Sequence, residues 1–228
     1  RDRDIKGADI ELLGKAMIET RNSEFNLEFA KCIKGANKKE HGRVVIENGD
    51  PKFNFEFARY VKGADVLAHE QAVISRGNLK CIFQFAYING ADIKTLGEAI
   101  IDSGDLYWNY WFAREVKEKG ADIKAHGEVI IDSGNPDWNY TYAKEIPGAD
   151  IKAHGQAIIN SGDLDWNYKY AKDILGADIK AHGEVIIDSE NPDWNYKYAR
   201  DIPGADIKAH GQAIINSGDL EWNYKYAK

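Results

Sequence analysis

A repeat of about 28 residues runs through the sequence and constrains the fold more than any other feature. The tetrapeptide Gly-Ala-Asp-Ile, or a near variant, begins eight times, at steps of 28, 28, 27, 30, 28, 28 and 28 residues. The eight starting glycines are Gly7, Gly35, Gly63, Gly90, Gly120, Gly148, Gly176 and Gly204. Such regular spacing indicates a stack of small folding units in which each unit contacts mainly its neighbours.

Each repeat has the local signals of two short helices when its glycine is counted as position 1. In the fifth repeat, Asp122 at position 3 is a good N-cap for a helix A over about positions 4–14. Ser133-Gly134 suits the end of that helix, and Asn135-Pro136 suits the start of a helix B over about positions 17–27. The sequence therefore predicts a helical hairpin in every repeat.

Apolar residues fall on one side of each predicted helix, at positions 4, 7, 8, 11 and 12 in helix A and 19, 20, 23, 24 and 27 in helix B. A hairpin this short cannot bury both stripes alone, whereas stacked hairpins can. We therefore expect an all-α fold, a right-handed α-solenoid of eight two-helix repeats that forms a single domain over residues 1–228.

The expected repeats are 7–34, 35–62, 63–89, 90–119, 120–147, 148–175, 176–203 and 204–228, with 1–6 as the tail of a preceding helix B. Neither end has the polar cap that terminal repeats usually carry. We therefore expect either a longer natural array or end-to-end self-association through the terminal repeats.

The pattern resembles the α-helical-hairpin repeat families, of which tetratricopeptide and HEAT repeats are the best known. It lacks the Trp-x-x-Leu-Gly-x-x-Tyr opening of the 34-residue tetratricopeptide repeat. It is more similar to short arrays of Gly-Ala-(Asp/Asn)-Ile and Trp/Tyr-x-Tyr repeats in proteins of anaerobic bacteria and their phages. The resemblance covers nearly the whole chain, and it implies an architecture without implying any catalytic or ligand-binding residue.

Charge and cysteine content exclude several classes of protein. The net charge is −7, and such an acidic balance argues against uniform binding to a phosphate backbone. Cys32 and Cys81 cannot make a disulfide framework, so we expect two buried or half-buried free thiols, as in the cytoplasm. No apolar run approaches the roughly 18 residues of a membrane span, so we expect no membrane association.

Three polar or small residues recur inside the apolar stripes. All six histidines occupy position 7, Asn occupies position 20 in seven repeats, and Gly occupies position 8 in seven. A metal ladder is one interpretation of the histidines, but equivalent positions in stacked helices lie about 9–10 Å apart, too far for one zinc ion. Since Leu13 and Leu96 also occupy position 7, we expect structural histidines.

The asparagines are expected to bind the backbone of an inter-helix loop, with ligand contact as the alternative. The glycines predict that a large ring of helix B lies against the bare backbone of helix A, because a mid-helix Gly otherwise costs about 1 kcal/mol. The sequence contains no phosphate-binding loop, zinc spacing or nucleophile motif. We therefore expect no catalytic residue, metal or cofactor, and no enzyme activity.

The best candidates for a binding surface lie on helix B. Position 21 is always large and apolar and lies beside a basic position 25, so the two form a ladder of rings and cations typical of recognition surfaces. Contact with the adjacent repeat is the alternative role for position 21. The candidate partner-binding residues are Tyr110, Tyr140, Tyr168, Tyr196 and Tyr224, the cations Lys144, Lys172 and Arg200, and Trp111 of the irregular fourth repeat.

These residues favour a scaffold that binds a protein or peptide along a helix face. A nucleic-acid-binding solenoid is a less favoured alternative because the face is mixed in sign, and a structural or engineered spacer without a ligand is a further one. The irregular repeats add a hypothesis: a specific partner docks near Glu70, which replaces Gly at position 8, and near Trp111.

Overall fold

The computed structural model describes residues 9–228, and this part of the chain is all-helical, without a strand. It contains eight helix A–helix B pairs. Repeats one to four contain α1 (Ile10–Glu19), α2 (Ser23–Cys32), α3 (Lys38–Asn48), α4 (Pro51–Tyr60), α5 (Val66–Ile74), α6 (Leu79–Phe85), α7 (Ile93–Asp102) and α8 (Leu106–Glu115). Repeats five to eight contain α9 (Ile123–Asp132), α10 (Pro136–Glu145), α11 (Ile151–Ser161), α12 (Leu164–Asp173), α13 (Ile179–Asp188), α14 (Pro192–Asp201), α15 (Ile207–Asn216) and α16 (Leu220–Ala227).

The predicted all-α fold of two-helix repeats, stacked in the manner of an α-solenoid, is therefore confirmed. The helix tail expected over residues 1–6 lies outside the described residues, as does Gly7.

The helix ends follow from the capping residues identified in the sequence. Asp150, for example, caps α11 by accepting a hydrogen bond from the backbone N–H of Ala153 at 3.0 Å. In the turn between the two helices, Gly134 has φ +63°, a left-handed conformation that favours glycine. Glu190 adopts the same conformation in the seventh repeat, with φ +52°. The repeated caps and turns define both ends of most helices within a residue of the expected positions. In the irregular third repeat, α5 ends two residues and α6 four residues earlier than expected.

The chain divides into two compact units. One extends to Trp108 and includes Glu118–Ala121, and the other contains Asn109–Lys117 and Asp122–Lys228. The division falls within α8 and again within the segment Lys117–Lys119, which forms a 3-10 helix. That segment contains the two extra residues that make the fourth repeat 30 residues long. The single domain expected over residues 1–228 stays a prediction.

Within each unit, helix B packs more extensively on helix A of the next repeat than on helix A of its own. This holds for α2 on α3 and α4 on α5 in the first unit, and for α10 on α11, α12 on α13 and α14 on α15 in the second. The buried clusters follow the same rule. Ala143 of one repeat, for example, packs with Ile158, Tyr170 and Ile174 of the next. The hydrophobic core therefore lies largely between repeats, as expected for units that cannot bury their apolar faces alone.

None of the helices described for this chain combines the length and the apolar character needed to cross a membrane.

Candidate functional site

A buried asparagine of helix B binds a buried histidine of the following helix A at six junctions between described repeats. The Asn139 Oδ1 atom lies 2.8 Å from His154 Nδ1, and the other five pairs are at 2.7 Å. The Asn139 amide also donates to the carbonyl oxygens of Ile130 at 3.0 Å and Asn135 at 2.9 Å. Because both amide hydrogens are used on backbone, the amide oxygen must accept from the ring, so Nδ1 carries the histidine proton and Nε2 carries the lone pair.

Each of these histidines is held as a neutral, desolvated ring. His154 is 1% exposed, and its ring centroid lies 4.9 Å from that of Tyr142 at position 23 of the preceding repeat. Burial lowers the pKa of His154 to about 4, and it does the same to His69, His126 and His182. Residues 9–228 contain no group of three or more His, Cys, Asp or Glu that could hold a metal ion. The histidines thus join helix B of one repeat to helix A of the next through their hydrogen bonds to asparagine.

The aromatic ring at position 23 packs against the recurring glycine of helix A. A Cβ built on Gly127 would lie 3.1 Å from Tyr142 Cε1 and 3.4 Å from His154 Nε2, closer than most real Cβ contacts. The Tyr142 hydroxyl donates to the carbonyl oxygen of Ile123 at 2.6 Å, which fixes the ring in this position. The close approach predicted from position 8 is confirmed.

The hydrogen bond between positions 7 and 20 was not predicted from the sequence. Between the third and fourth repeats, Ile82 replaces the asparagine and Leu96 replaces the histidine, and both side chains are buried. Exchanging both partners for apolar groups leaves neither one unpaired, which is far less costly than exchanging one. This joint exchange within the array was the signal that could have revealed the pairing.

Glu70 is 0% exposed, so its own side chain offers no surface to a partner, and docking near it stays a prediction. Its Oε2 atom accepts the backbone N–H of Asp92 at 2.8 Å, its Oε1 atom has no hydrogen-bond partner, and burial raises its pKa. Cys32, expected to be at least half-buried, is exposed, because its position 26 lies outside the apolar arc of helix B. Cys81 is half-buried as expected, and both thiols are free.

The candidate binding residues of helix B form pairs across the junctions of the second unit. We call these residues the helix B ladder: the tyrosine at position 21, the tryptophan at position 19 of the next repeat, and the cations at positions 22 and 25. Ring centroids of successive Tyr–Trp pairs lie 5.3–5.7 Å apart. The ladder comprises Tyr110, Trp138, Tyr140, Trp166, Tyr168, Trp194, Tyr196 and Trp222, with Lys144, Lys169, Lys172, Lys197, Arg200 and Lys225.

The polar ends of the ladder are also paired between repeats. The Tyr168 hydroxyl donates to Asp201 Oδ2 at 2.7 Å, and Lys172 Nζ donates to that hydroxyl at 3.0 Å. Tyr140 and Asp173 repeat the contact one junction earlier. Hydrogen bonds from Arg200, and then from Tyr168, hold the pKa of Asp201 below its usual range. The tyrosine hydroxyls therefore tie each repeat to the next and fix the orientation of the rings.

The candidate residues differ in how much surface they offer a partner. Tyr140, Tyr168 and Tyr196 are half-buried, Tyr110 is only 5% exposed, and Tyr224 is 63% exposed. Lys144, Lys172 and Arg200 lie 4.8–5.3 Å from the centroids of the position-21 rings, so the predicted adjacency of positions 21 and 25 is confirmed. Trp111 is half-buried and lies under Arg114, at 5.1 Å from its guanidinium carbon. Position 21 thus contacts the adjacent repeat, and part of each of these rings except Tyr110 still reaches the surface.

Comparison of the chain with models of protein families, with curated proteins and with solved structures finds no match.

Proposed function

We propose that this chain is a non-catalytic repeat scaffold that binds a protein or peptide partner along the helix B ladder. The observation that carries the proposal is the row of three half-buried Trp–Tyr pairs in the second unit, in each of which a lysine lies over the tryptophan ring. Lysine Nζ atoms lie 4.3 Å from the ring centroid of Trp166, 4.6 Å from that of Trp194 and 4.0 Å from that of Trp222. Tryptophan, tyrosine and arginine are the side chains that most often dominate the energy of protein interfaces.

The ladder is ordered before any partner arrives. The Tyr168 ring is held by Trp194 at its face and by Asp201 at its hydroxyl, so little side-chain entropy remains to be lost on binding. Rings that are rigid and half-exposed give a partner apolar contact area at a low entropic cost. The likeness to short Gly-Ala-Asp-Ile repeat arrays is compatible with such a scaffold and names no partner.

The balance of charge on the ladder favours a protein over a nucleic acid. Lys169, Lys197 and Lys225 each form an ion pair with the acidic residue one helical turn earlier, at 2.6, 2.7 and 3.0 Å. Phosphate-backbone binding draws its energy from cations that are not already neutralised by the protein. Paired cations instead suit a partner of mixed charge.

The experiment is selection of a displayed random-peptide library on the immobilised chain, followed by calorimetry with the enriched peptides. We expect Lys169→Ala/Lys197→Ala to weaken binding by about 10-fold, the equivalent of about 1.4 kcal/mol. The matched control is Lys152→Ala/Lys180→Ala, which removes the same charge from exposed positions of helix A. A single-stranded oligonucleotide is titrated at low and high salt in parallel.

Equal weakening by the two variant pairs would contradict the proposal, and so would a selection that enriches no peptide. Salt-dependent binding of the oligonucleotide alone would favour the nucleic-acid alternative. Failure of both ligands would leave a structural spacer. A cytoplasmic location and end-to-end self-association remain parts of the proposal that rest on the sequence.

A further inference from the structure

A second kind of surface recurs on the helix A side of the junctions, where the position-8 glycine leaves a groove between neighbouring helices A. The cavity measures about 450 Å³ between α1 and α3, about 380 Å³ between α3 and α5, and about 380 Å³ between α9 and α11. These volumes lie at the lower end of the range for ligand sites, which is about 300–1,000 Å³. Each groove therefore has room for one large side chain.

The groove between α3 and α5 has an apolar interior. Its walls are the side chains of Ile46, Phe57 and Ala68, and its floor is Gly42. A Cβ on Gly42 would come within 3.1 Å of Phe57 Cε1. The absence of a side chain at Gly42 therefore lets the ring pack against helix A and leaves the groove open above the backbone. Such an interior favours an aliphatic or aromatic side chain, because burial of apolar surface is the main gain available there.

The rim of the α3–α5 groove differs in charge from the rim of the equivalent α9–α11 groove. Positions 4 and 9 are Lys38 and Arg43 at the first site and Ile123 and Glu128 at the second, while position 5 is lysine at both. Glu40 also lines the first groove and has no counterpart at the second. The lining thus carries three cations and two carboxylates at the α3–α5 groove, against one cation and two carboxylates at the α9–α11 groove, so the first groove is the more basic.

Two of the three rim cations, Lys38 and Lys39, keep their charge available to a ligand. Lys38 Nζ is held by the carbonyl oxygen of Lys62 at 2.9 Å, a neutral partner that positions the ammonium without neutralising it. Lys39 is exposed and forms no ion pair with another residue of the described chain. Arg43 is engaged by Glu40 at 3.1 Å and by Glu47. The groove has two acidic lining residues: Glu40, which pairs with Arg43, and Asp65, which is occupied as the N-cap of α5.

We propose that the α3–α5 groove binds an acidic peptide, placing one large apolar side chain in the cavity and the flanking carboxylates against Lys38 and Lys39. Complementary charge at the rim gives orientation and selectivity, and the apolar cavity gives the burial energy. The site is lined mainly by helix A residues of the first unit, shares no residue with the helix B ladder, and does not depend on the function proposed for that ladder.

The probe is fluorescein-Gly-Ser-Asp-Glu-Phe-Glu-Asp-Ser-Gly, titrated with the full chain and followed by fluorescence anisotropy at low and high salt. One matched peptide has Gly in place of Phe, and another has Lys at the four acidic positions. We expect saturable 1:1 binding of the first peptide that weakens with salt, and at least about 10-fold weaker binding of both matched peptides.

Two variants of the chain assign the site. Lys38→Ile/Lys39→Glu/Arg43→Gln places residues in the rim that other repeats already carry at these positions, and we expect about 10-fold weaker binding. The control Lys124→Glu changes position 5 of the α9–α11 groove and should leave the affinity unchanged. Ile123→Lys/Glu128→Arg transfers the basic rim to that groove and should create a second site.

Retained affinity in the triple variant, equal binding of the lysine peptide, or absence of binding at millimolar concentration would each overturn the proposal. If the triple variant fails to fold, Ile123→Lys/Glu128→Arg still tests the proposal. A stoichiometry of one peptide per chain, instead of the expected two, would contradict the assignment of the site. Variants of Lys169 and Lys197 should leave this affinity unchanged, which separates the result from that of the helix B ladder.

Discussion

At the scale of single residues, the junctions depend on polar side chains that are buried only because each has its partner. Asn139 and His154 illustrate the rule, since each satisfies the other at 2.8 Å where water cannot replace it. A buried donor or acceptor left without a partner costs about 1–3 kcal/mol. The pair Ile82 and Leu96 shows that the same junction can instead be made entirely apolar.

This comparison predicts strong coupling between Asn139 and His154. Asn139→Ile and His154→Leu should each lower the free energy of unfolding by roughly 2 kcal/mol, because each leaves the other side chain unpaired. The double variant should recover part of that loss, as at the junction that carries Ile82 and Leu96. Urea denaturation of the four proteins gives the coupling free energy, and simple additivity of the two single effects would contradict the pairing.

The buried carboxyl group of Glu70 should lower the stability of the chain as the pH rises, whereas the buried histidines lower it as the pH falls. Its folded pKa is raised by burial, so the native state favours the protonated acid and is penalised as the pH rises from the unfolded value through the folded one. Glu70→Gln should therefore raise the free energy of unfolding at pH 8 by roughly 1–3 kcal/mol. The gain should shrink towards pH 4 in urea denaturation, and a gain independent of pH would show that charge is not its cause.

At the scale of helices, the sequence specified almost everything except which side chains meet. Aspartate caps, turn glycines and the apolar period predicted the helix bounds within a residue in most repeats, because these signals act over a few neighbouring positions. The exception is the irregular third repeat, where α5 and α6 end early. The Asn139–His154 contact joins helices of different repeats, and no local signal reports such a pairing. The exposure of Cys32, by contrast, was predictable from the sequence, since position 26 lies outside the apolar arc of helix B.

The seat of the position-23 ring on helix A can be tested at Gly127. Gly127→Ala adds helix propensity, worth about 1 kcal/mol, yet it places a Cβ 3.1 Å from a Tyr142 ring that cannot move. Because overpacking costs about 1–3 kcal/mol, we expect a net loss of stability in thermal denaturation. The control is the same change in a Tyr142→Leu background, where the alanine should be neutral or stabilising. Stabilisation in the parent chain would show that the ring is not seated there.

At the scale of the whole molecule, the six buried histidines together determine how the stability of the chain depends on pH. Four histidines have a folded pKa of about 4, and the pKa values of His41 and His210 are also lowered by burial. A depressed folded pKa contributes stability that is complete above the unfolded value of about 6.5 and is lost as the pH falls through the folded one. The losses of folding stability at the separate junctions therefore add to one another in mild acid.

We predict that the chain loses stability steeply between pH 6.5 and pH 5, a window in which most carboxylates stay ionised. Unfolding at pH 5 should take up more than about three protons, which urea denaturation at several pH values measures as a slope. The Asn139→Ile/His154→Leu variant should take up about one proton fewer. A flat profile across this window would mean that the histidines are not buried as neutral rings.

The measurement that tests the account most directly is a long-range ¹H–¹⁵N NMR spectrum of the histidine side chains, recorded from pH 7.5 to pH 5. In this structure neighbouring repeats are joined by a buried asparagine that accepts a hydrogen bond from a neutral histidine. Six rings should therefore carry their proton on Nδ1 at pH 7.5, and those of His69, His126, His154 and His182 should remain neutral down to pH 5. Rings protonated on Nε2, or rings that titrate near pH 6.5, would contradict the account.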